Sequence, residues 1–292
     1  MFKGTNDNTR IAHISDTALW VAVYRAMETK RKDALFRDPY AEILAGERGK
    51  LIAENMAGGK SGAWPMIVRT AAMDEFITRT VTQNGVDTVV NLAAGLDARP
   101  YRLDLPQSLR WIEVDLPDIL SYKEEKLSDA EPRCRLERVR LDLNDAAARK
   151  KQFEQINRTA KQVLVITEGL LIYLGPEDVA SLARDLHEQK NFRWWVIDIA
   201  TPVLLQWLLK RRFRSFAEGN IQMRFAPDEG PAIFRAFGWN DAEVRTVSKE
   251  ARRLKREMPL AWLFRFLSPL ASKKKREFFS KMDSYFVLLE RA

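Results

Sequence analysis

The feature that most constrains this chain is an alternation. Between residues 86 and 200, five runs rich in β-formers ("DTVVNLA", "RWIEVD", "CRLERVRLD", "VLVITEG" and "WWVIDIA") are parted by stretches of helical spacing over 117–130, 145–156 and 176–189. Strands separated by helices of that length predict a parallel sheet with right-handed crossovers. Residues 1–84 read instead as helices. "SDTALWVAVYRAMETKR" starts at the capping candidates Ser15 and Asp16. "FRDPYAEILAG" places Pro39 near a first turn and Gly46 near an end, and "SGAWPMIVRTAAMDEFITRTVTQNG" closes at Asn84-Gly85. After residue 200 the chain reads as helical and basic, before a last strand in "SYFVLLERA". The expected architecture is an α/β, doubly wound, mostly parallel sheet. A helical cap over 1–84 precedes the α/β unit over 85–292, which carries a helical basic insertion at about 201–280.

In an open parallel sheet, ligands sit beyond the carboxyl ends of the strands, beside the first strand. "VVNLAAGLDARPYRL" lies there. Ala93, Ala94 and Gly95 remove side-chain bulk, so backbone can approach a ligand closely, although a tight turn without a ligand would read the same. Asp115 ends the second run twenty residues after Gly95, the spacing at which a carboxylate reaches a ribose diol. It could instead cap the following helix, a task that Asp118 could also fill. Asp142 ends the third run, where an adenine amino group could donate to it or where it could cap a helix. Glu168 follows the fourth run and could take an ammonium or a hydroxyl.

A dinucleotide site would need G-x-G-x-x-G. Here the first glycine is absent, and Asp97 would repel a pyrophosphate, which weighs against a nicotinamide-dependent dehydrogenase. A nucleoside without phosphates fits better, and S-adenosylmethionine is the common ligand of that kind. Arg69 falls inside the apolar stripe made by Met66, Met73, Phe76, Ile77 and Val81 on a helical wheel. A buried guanidinium needs a partner, which could be the methionine carboxylate or a protein carboxylate.

Composition narrows the rest. Cys134 is the only cysteine, so no intramolecular disulfide forms, and with two histidines a metal centre is not expected. No apolar run spans a bilayer and no charged-then-apolar leader opens the chain, which points to the cytoplasm. The net charge of +8 is concentrated: residues 245–281 hold +9 and the rest of the chain −1. That segment reads as a solvated helical face, or as a patch for an acidic partner or weak contact with an anionic membrane surface. The alternative to an enzyme is therefore a nucleoside-binding protein docked on a membrane through "MPLAWLFRFLSPLASKKKR". RNA methylation fits poorly, because the bases lie away from the expected pocket.

Four stretches, "SDTALWVAVYRAMETKRKDALFRDPYAEILAG", "VVNLAAGLDARPYRL", "WIEVDLPDILSYKEEKL" and "VLVITEGLLIYLGPEDV", resemble the leucine carboxyl methyltransferase family, closest to its bacterial polyketide O-methyltransferase-like branch. The resemblance covers about residues 14–200. It implies a Rossmann-like class I methyltransferase fold, S-adenosyl-L-methionine as cofactor, and O-methylation of a carboxylate or hydroxyl on a small molecule. It implies roles residue by residue: Arg69 for the cofactor carboxylate, Ala93 to Gly95 beside the methionine moiety, Asp115 for the ribose, Asp142 and Leu143 around the adenine, and Glu168 near the amino acid end. Ala93 stands where many relatives have glycine. No motif carries over for 201–280, so the acceptor and any catalytic residue stay open. His13, Tyr24 and Tyr173 are weak candidates for a base, and His187 is expected to be solvated.

Overall fold

The computed structural model describes residues 16–55, 62–212, 222–258 and 281–292, with isolated positions between 259 and 280. Among these residues the strands are β1 (Thr88–Leu92), β2 (Arg110–Asp115), β3 (Arg135–Arg140), β4 (Val163–Thr167), β5 (Phe192–Ala200), β6 (Trp239–Thr246) and β7 (Ser284–Arg291). They form one sheet in the order β3-β2-β1-β4-β5-β7-β6. The first five run parallel, and β7 lies antiparallel between β5 and β6. The chain moves outward from β1 through β2 to β3, then returns to place β4 on the other side of β1. That reversal opens a crevice beyond the carboxyl ends of β1 and β4.

The helices are α1 (Asp16–Thr29), α2 (Ala41–Asn55), α3 (Trp64–Gln83), α4 (Arg99–Arg102), α5 (Pro117–Lys126), α6 (Ala146–Thr159), α7 (Pro176–Glu188), α8 (Pro202–Trp207) and α9 (Val247–Arg253). Strand side chains alternate between two faces. On one face Val89, Trp111, Leu164, Ile166 and Val196 pack against Val68, Ala72, Met73, Phe76 and Ile77 of α3. On the other, Val90, Ile112, Val165, Trp195 and Ile197 meet Phe153 of α6 and Val179, Leu182 and Leu186 of α7. β1 and β4 are buried along their whole length, which is why both read as continuous apolar runs. A third cluster joins α1 and α2 to Leu96, Ile119 and Leu205.

Two expectations change. The second helix does not end at Gly46. The glycine takes a left-handed φ of 58°, kinks the helix, and the chain resumes helix to Asn55. Tyr122 of α5 donates its hydroxyl to the Leu44 carbonyl there, at 3.0 Å. Within the stretch expected to be helical, residues 239–246 form β6. Its charged residues belong to an edge strand that pairs on one side only, with a register shift between Asp241 and Glu243.

Candidate functional site

The turn after β1 is built from unusual backbone. Ala93 adopts φ 53° and Gly95 φ 49°. A left-handed alanine costs on the order of 1–2 kcal/mol, so neighbouring contacts must hold it. The Ala94 N–H donates to the Val114 carbonyl at 3.3 Å, and the Gly95 N–H donates to Asp115 Oδ2 at 2.6 Å. Asp115 Oδ1 accepts the Leu116 N–H at 2.7 Å, and the Asp115 carbonyl accepts the Leu141 N–H at 2.9 Å. The ends of β1, β2 and β3 are therefore tied edge to edge, with the Asp115 carboxylate directly beside the Gly95 turn. Asp115 is not the side-chain cap of α5, whose N-cap is Leu116. A side chain at Gly95 would press on Ala18 of α1 at 3.3 Å, so the first helix closes over this turn.

Asp142 follows β3, with its side chain exposed. Its Oδ1 accepts the Asn144 N–H at 2.9 Å, while Asp145 caps α6 by accepting from the Ala148 N–H at 3.0 Å. Leu143 is half-buried and packs in the same cluster as Ala93, Leu141, Leu170 and Leu174. The Leu143 carbonyl is fixed by Arg149 Nη1 at 2.7 Å.

Arg69 and Glu168 touch across the crevice, at 2.9 Å from Nε to Oε1. Arg69 Nη1 also donates to Asp198 Oδ2 of β5 at 3.2 Å. The guanidinium thus has two protein carboxylates as partners, the alternative weighed from its place in the apolar stripe. The Glu168 Oε2 meets Arg99 Nη1 at 2.7 Å, and Arg99 continues to Asp97 at 2.9 Å and to Asp74 at 2.7 Å. Arg102 binds the same Asp74 carboxylate with two bonds of 2.7 Å. Burial works against the charge on Arg69, but Asp198 and Glu168 outweigh it and raise its pKa. Burial likewise opposes ionisation of Glu168 and Asp97, yet the arginines hold both below their ordinary values, Asp97 far below. At Asp198 burial wins, and its carboxyl is pushed above the ordinary value.

Sequence reasoning did not assign Asp74, Arg99, Arg102 or Asp198 to the site. A lone acid in the apolar run "WWVIDIA" was the available signal for Asp198. Among the described residues, four guanidinium groups (Arg25, Arg69, Arg99, Arg102) face five carboxylates (Asp38, Asp74, Asp97, Glu168, Asp198) in this network. With all ionised, the network carries one negative charge in excess and suits a cationic guest.

Of the remaining candidates, Tyr173 stands beside the Arg69 network. His13 is outside the described residues. Tyr24 is buried at 1% exposure in the cluster of α1 and α2. Tyr173 is half-buried, and burial raises the pKa of its phenol despite Arg69 and a hydrogen bond with Thr17. His187 is not simply solvated: its ring stands edge-on to Trp239 with centroids 5.9 Å apart. In the basic stretch, Arg245 and Arg253 both bind Glu75, at 2.6 and 2.7 Å, and Arg256 binds Glu28 at 2.9 Å. These three charges serve the fold, whereas most of 258–276 lies outside the described residues.

The sheet order, the antiparallel β7 and the crevice at the β1/β4 reversal define a Rossmann-like class I methyltransferase fold. Comparison with known proteins gives the same answer. A family model described as leucine carboxyl methyltransferase matches residues 18–187. A "Putative S-adenosyl-L-methionine-dependent methyltransferase" of Parafrankia sp. is 32% identical over 281 residues, 87% of this chain and 86% of that protein. A Mycobacteroides abscessus protein of the same printed name is 36% identical over 191 residues, 59% of this chain and 61% of its own length. A crystal structure of a DUF574 family protein from Streptomyces avermitilis superposes with a TM-score of 0.61 at 16% identity, covering 96% of this chain and 98% of that one. The chain belongs to the leucine carboxyl methyltransferase family. Its cofactor is S-adenosylmethionine and its class of reaction is methyl transfer.

Proposed function

We propose that this enzyme is an O-methyltransferase acting on a carboxylate or hydroxyl of a small molecule, with a polyketide-type metabolite as one acceptor of that class. The observation that carries the site reading is the pairing of Asp115 with the Gly95 N–H at 2.6 Å, which sets a carboxylate at the mouth of a turn with no side-chain bulk. Each carboxylate oxygen has two lone pairs, so Asp115 can hold a backbone N–H and accept a ribose hydroxyl as well. Asp142 and Leu143 sit next to it for the adenine, one polar and one apolar. Arg69 takes the cofactor's carboxylate, and Glu168 lies by its ammonium. The excess negative charge of the network matches a ligand that carries a sulfonium and an ammonium against one carboxylate.

When bound, the cofactor supplies an electrophilic methyl group on a positively charged sulfur. The protein's task is to position and to exclude water. Helix α1 fits the second role, since it closes on the Gly95 turn, whereas α3 of the expected cap packs on the sheet face. The body of the acceptor faces apolar groups: Trp20, Ile172, Leu205 and Met223 gather where α1 meets the segments after β4 and β5. Tyr173, held as a neutral phenol, can donate a hydrogen bond but does not serve as a base near neutrality. A carboxylate acceptor needs no base. We place the enzyme in the cytoplasm; no helix of the described residues is long and apolar enough to cross a membrane.

The test is methyl transfer from labelled S-adenosylmethionine into an extract of the source organism. Label in an organic-extractable small product, lost with Asp115→Ala, supports the reading. Label confined to protein or nucleic acid contradicts it. Alkaline treatment separates the two acceptor classes, because a methyl ester releases methanol and an ether does not.

A further inference from the structure

We propose that Asp198 is a positioning residue that holds Arg69 and the Gly169 backbone in the arrangement that receives the amino acid tail of the cofactor. This rests on the site reading above and extends it to a residue on a different strand.

Asp198 is an acid among buried apolar neighbours on β5: Trp195, Val196, Ile197 and Ile199 are 2% exposed or less. A charged group there is costly unless it is bonded. Its two oxygens divide the work. Oδ1 accepts the Gly169 N–H at 2.6 Å, and Oδ2 accepts from Arg69 Nη1 at 3.2 Å. Gly169 has φ 68°, and a Cβ there would stand 3.1 Å from Arg69 Nη1. The guanidinium therefore lies directly against the turn after β4, where a side chain would be both strained and crowded. Glu168 occupies Arg69 Nε, so Nη2 is the part of the guanidinium with no protein hydrogen bond among the described residues. Asp198 and Glu168 together leave that part for a ligand carboxylate. Without Asp198 the Gly169 N–H loses its acceptor and Arg69 keeps only Glu168. The nucleoside side of the crevice is held by other bonds, from Gly95 and Leu116 to Asp115. Loss of Asp198 should thus weaken recognition of the tail and spare that of the adenosine.

Two probes separate these ends. S-adenosylhomocysteine carries the amino acid tail, and 5′-methylthioadenosine is the same nucleoside without it. Titration calorimetry on Asp198→Asn should show the Kd for S-adenosylhomocysteine raised about tenfold or more, as for one lost charge-assisted bond. The Kd for 5′-methylthioadenosine should stay within about twofold, which also shows that the variant is folded. Because Asp198 acts through Arg69, adding Asp198→Asn to Arg69→Met should cost little beyond Arg69→Met alone. The proposal is overturned if S-adenosylhomocysteine binds the variant as tightly as the wild type, or if both probes weaken equally. A wild-type protein that binds neither probe would bring down the site reading itself, and this inference with it.

Discussion

Gly169 and Cys134 show what single residues contribute. At Gly169 the left-handed φ and the Arg69 guanidinium both disfavour a side chain. Gly169→Ala should destabilise the protein by about 1–2 kcal/mol from backbone strain and weaken S-adenosylhomocysteine binding more than 5′-methylthioadenosine binding, read by thermal melting and calorimetry. Cys134 is buried, and burial with nearby Glu113 pushes its thiol up to about 11. The nucleophile is the thiolate, so the folded protein should react slowly with an aromatic disulfide reagent at pH 8 and fully once denatured. Fast reaction in the native state would contradict the burial. At His187 burial and Arg291 lower the pKa, so the neutral ring is the form the fold favours. Its packing was hidden in the sequence because Gly238 and Trp239, which receive the ring, lie about fifty residues away; a Cβ on Gly238 would come within 2.3 Å of His187 Nε2.

Among the elements, the pair of β2 and α5 carries a strong internal constraint. Lys123 and Glu113 are both 0% exposed and meet at 2.7 Å, with Arg138 on the other Glu113 oxygen at 3.0 Å. Removing Lys123 takes from the fully buried Glu113 its fully buried partner and leaves only the partly exposed Arg138 to balance it. Lys123→Met should therefore cost about 2–3 kcal/mol in denaturant unfolding, less than for a charge left wholly unpaired, because Arg138 still binds Glu113. A loss under about 1 kcal/mol would show the pair to be dispensable. The strands β1 and β4 were legible as buried apolar runs and β2, β3 and β5 as β-former runs, set between helices of regular spacing. Strand β6, "WNDAEVRT", was not: it is a charged edge strand like β3, but it lies in the basic stretch after residue 200, away from the regular alternation of strands and helices. The same contrast holds in the site. Gly95 and Asp115 could be found from spacing along the chain, whereas Asp198 and Arg99 take meaning only from neighbours brought in by the sheet.

The whole molecule is laced by buried ion pairs, and acid should undo them. Glu168 and Asp97 have folded pKa values below their ordinary 4.5 and 3.8. A lowered acid contributes stability that is complete above its unfolded pKa and is lost as pH falls through the folded value. Asp198, with a raised pKa, works in the opposite sense: it binds its proton more readily in the folded state. Glu75, Glu137 and Glu243 are lowered too by their arginine partners, so stability in urea should fall as pH drops below about 4.5, and more steeply below 4. A flat stability from pH 6 to 3 would contradict the network. The basic segment also changes character at this scale. Arg245 ties β6 to α3, Arg253 ties α9 to α3, and Arg256 ties the tail after α9 to α1, so these three charges fasten the fold.

The most direct measurement is a crystal structure of the protein with S-adenosylhomocysteine. The account predicts the ribose hydroxyls on Asp115, the adenine beside Asp142 and Leu143, and the tail carboxylate on Arg69. A ligand bound elsewhere, or one in the crevice with Asp115 turned from the sugar, would contradict it.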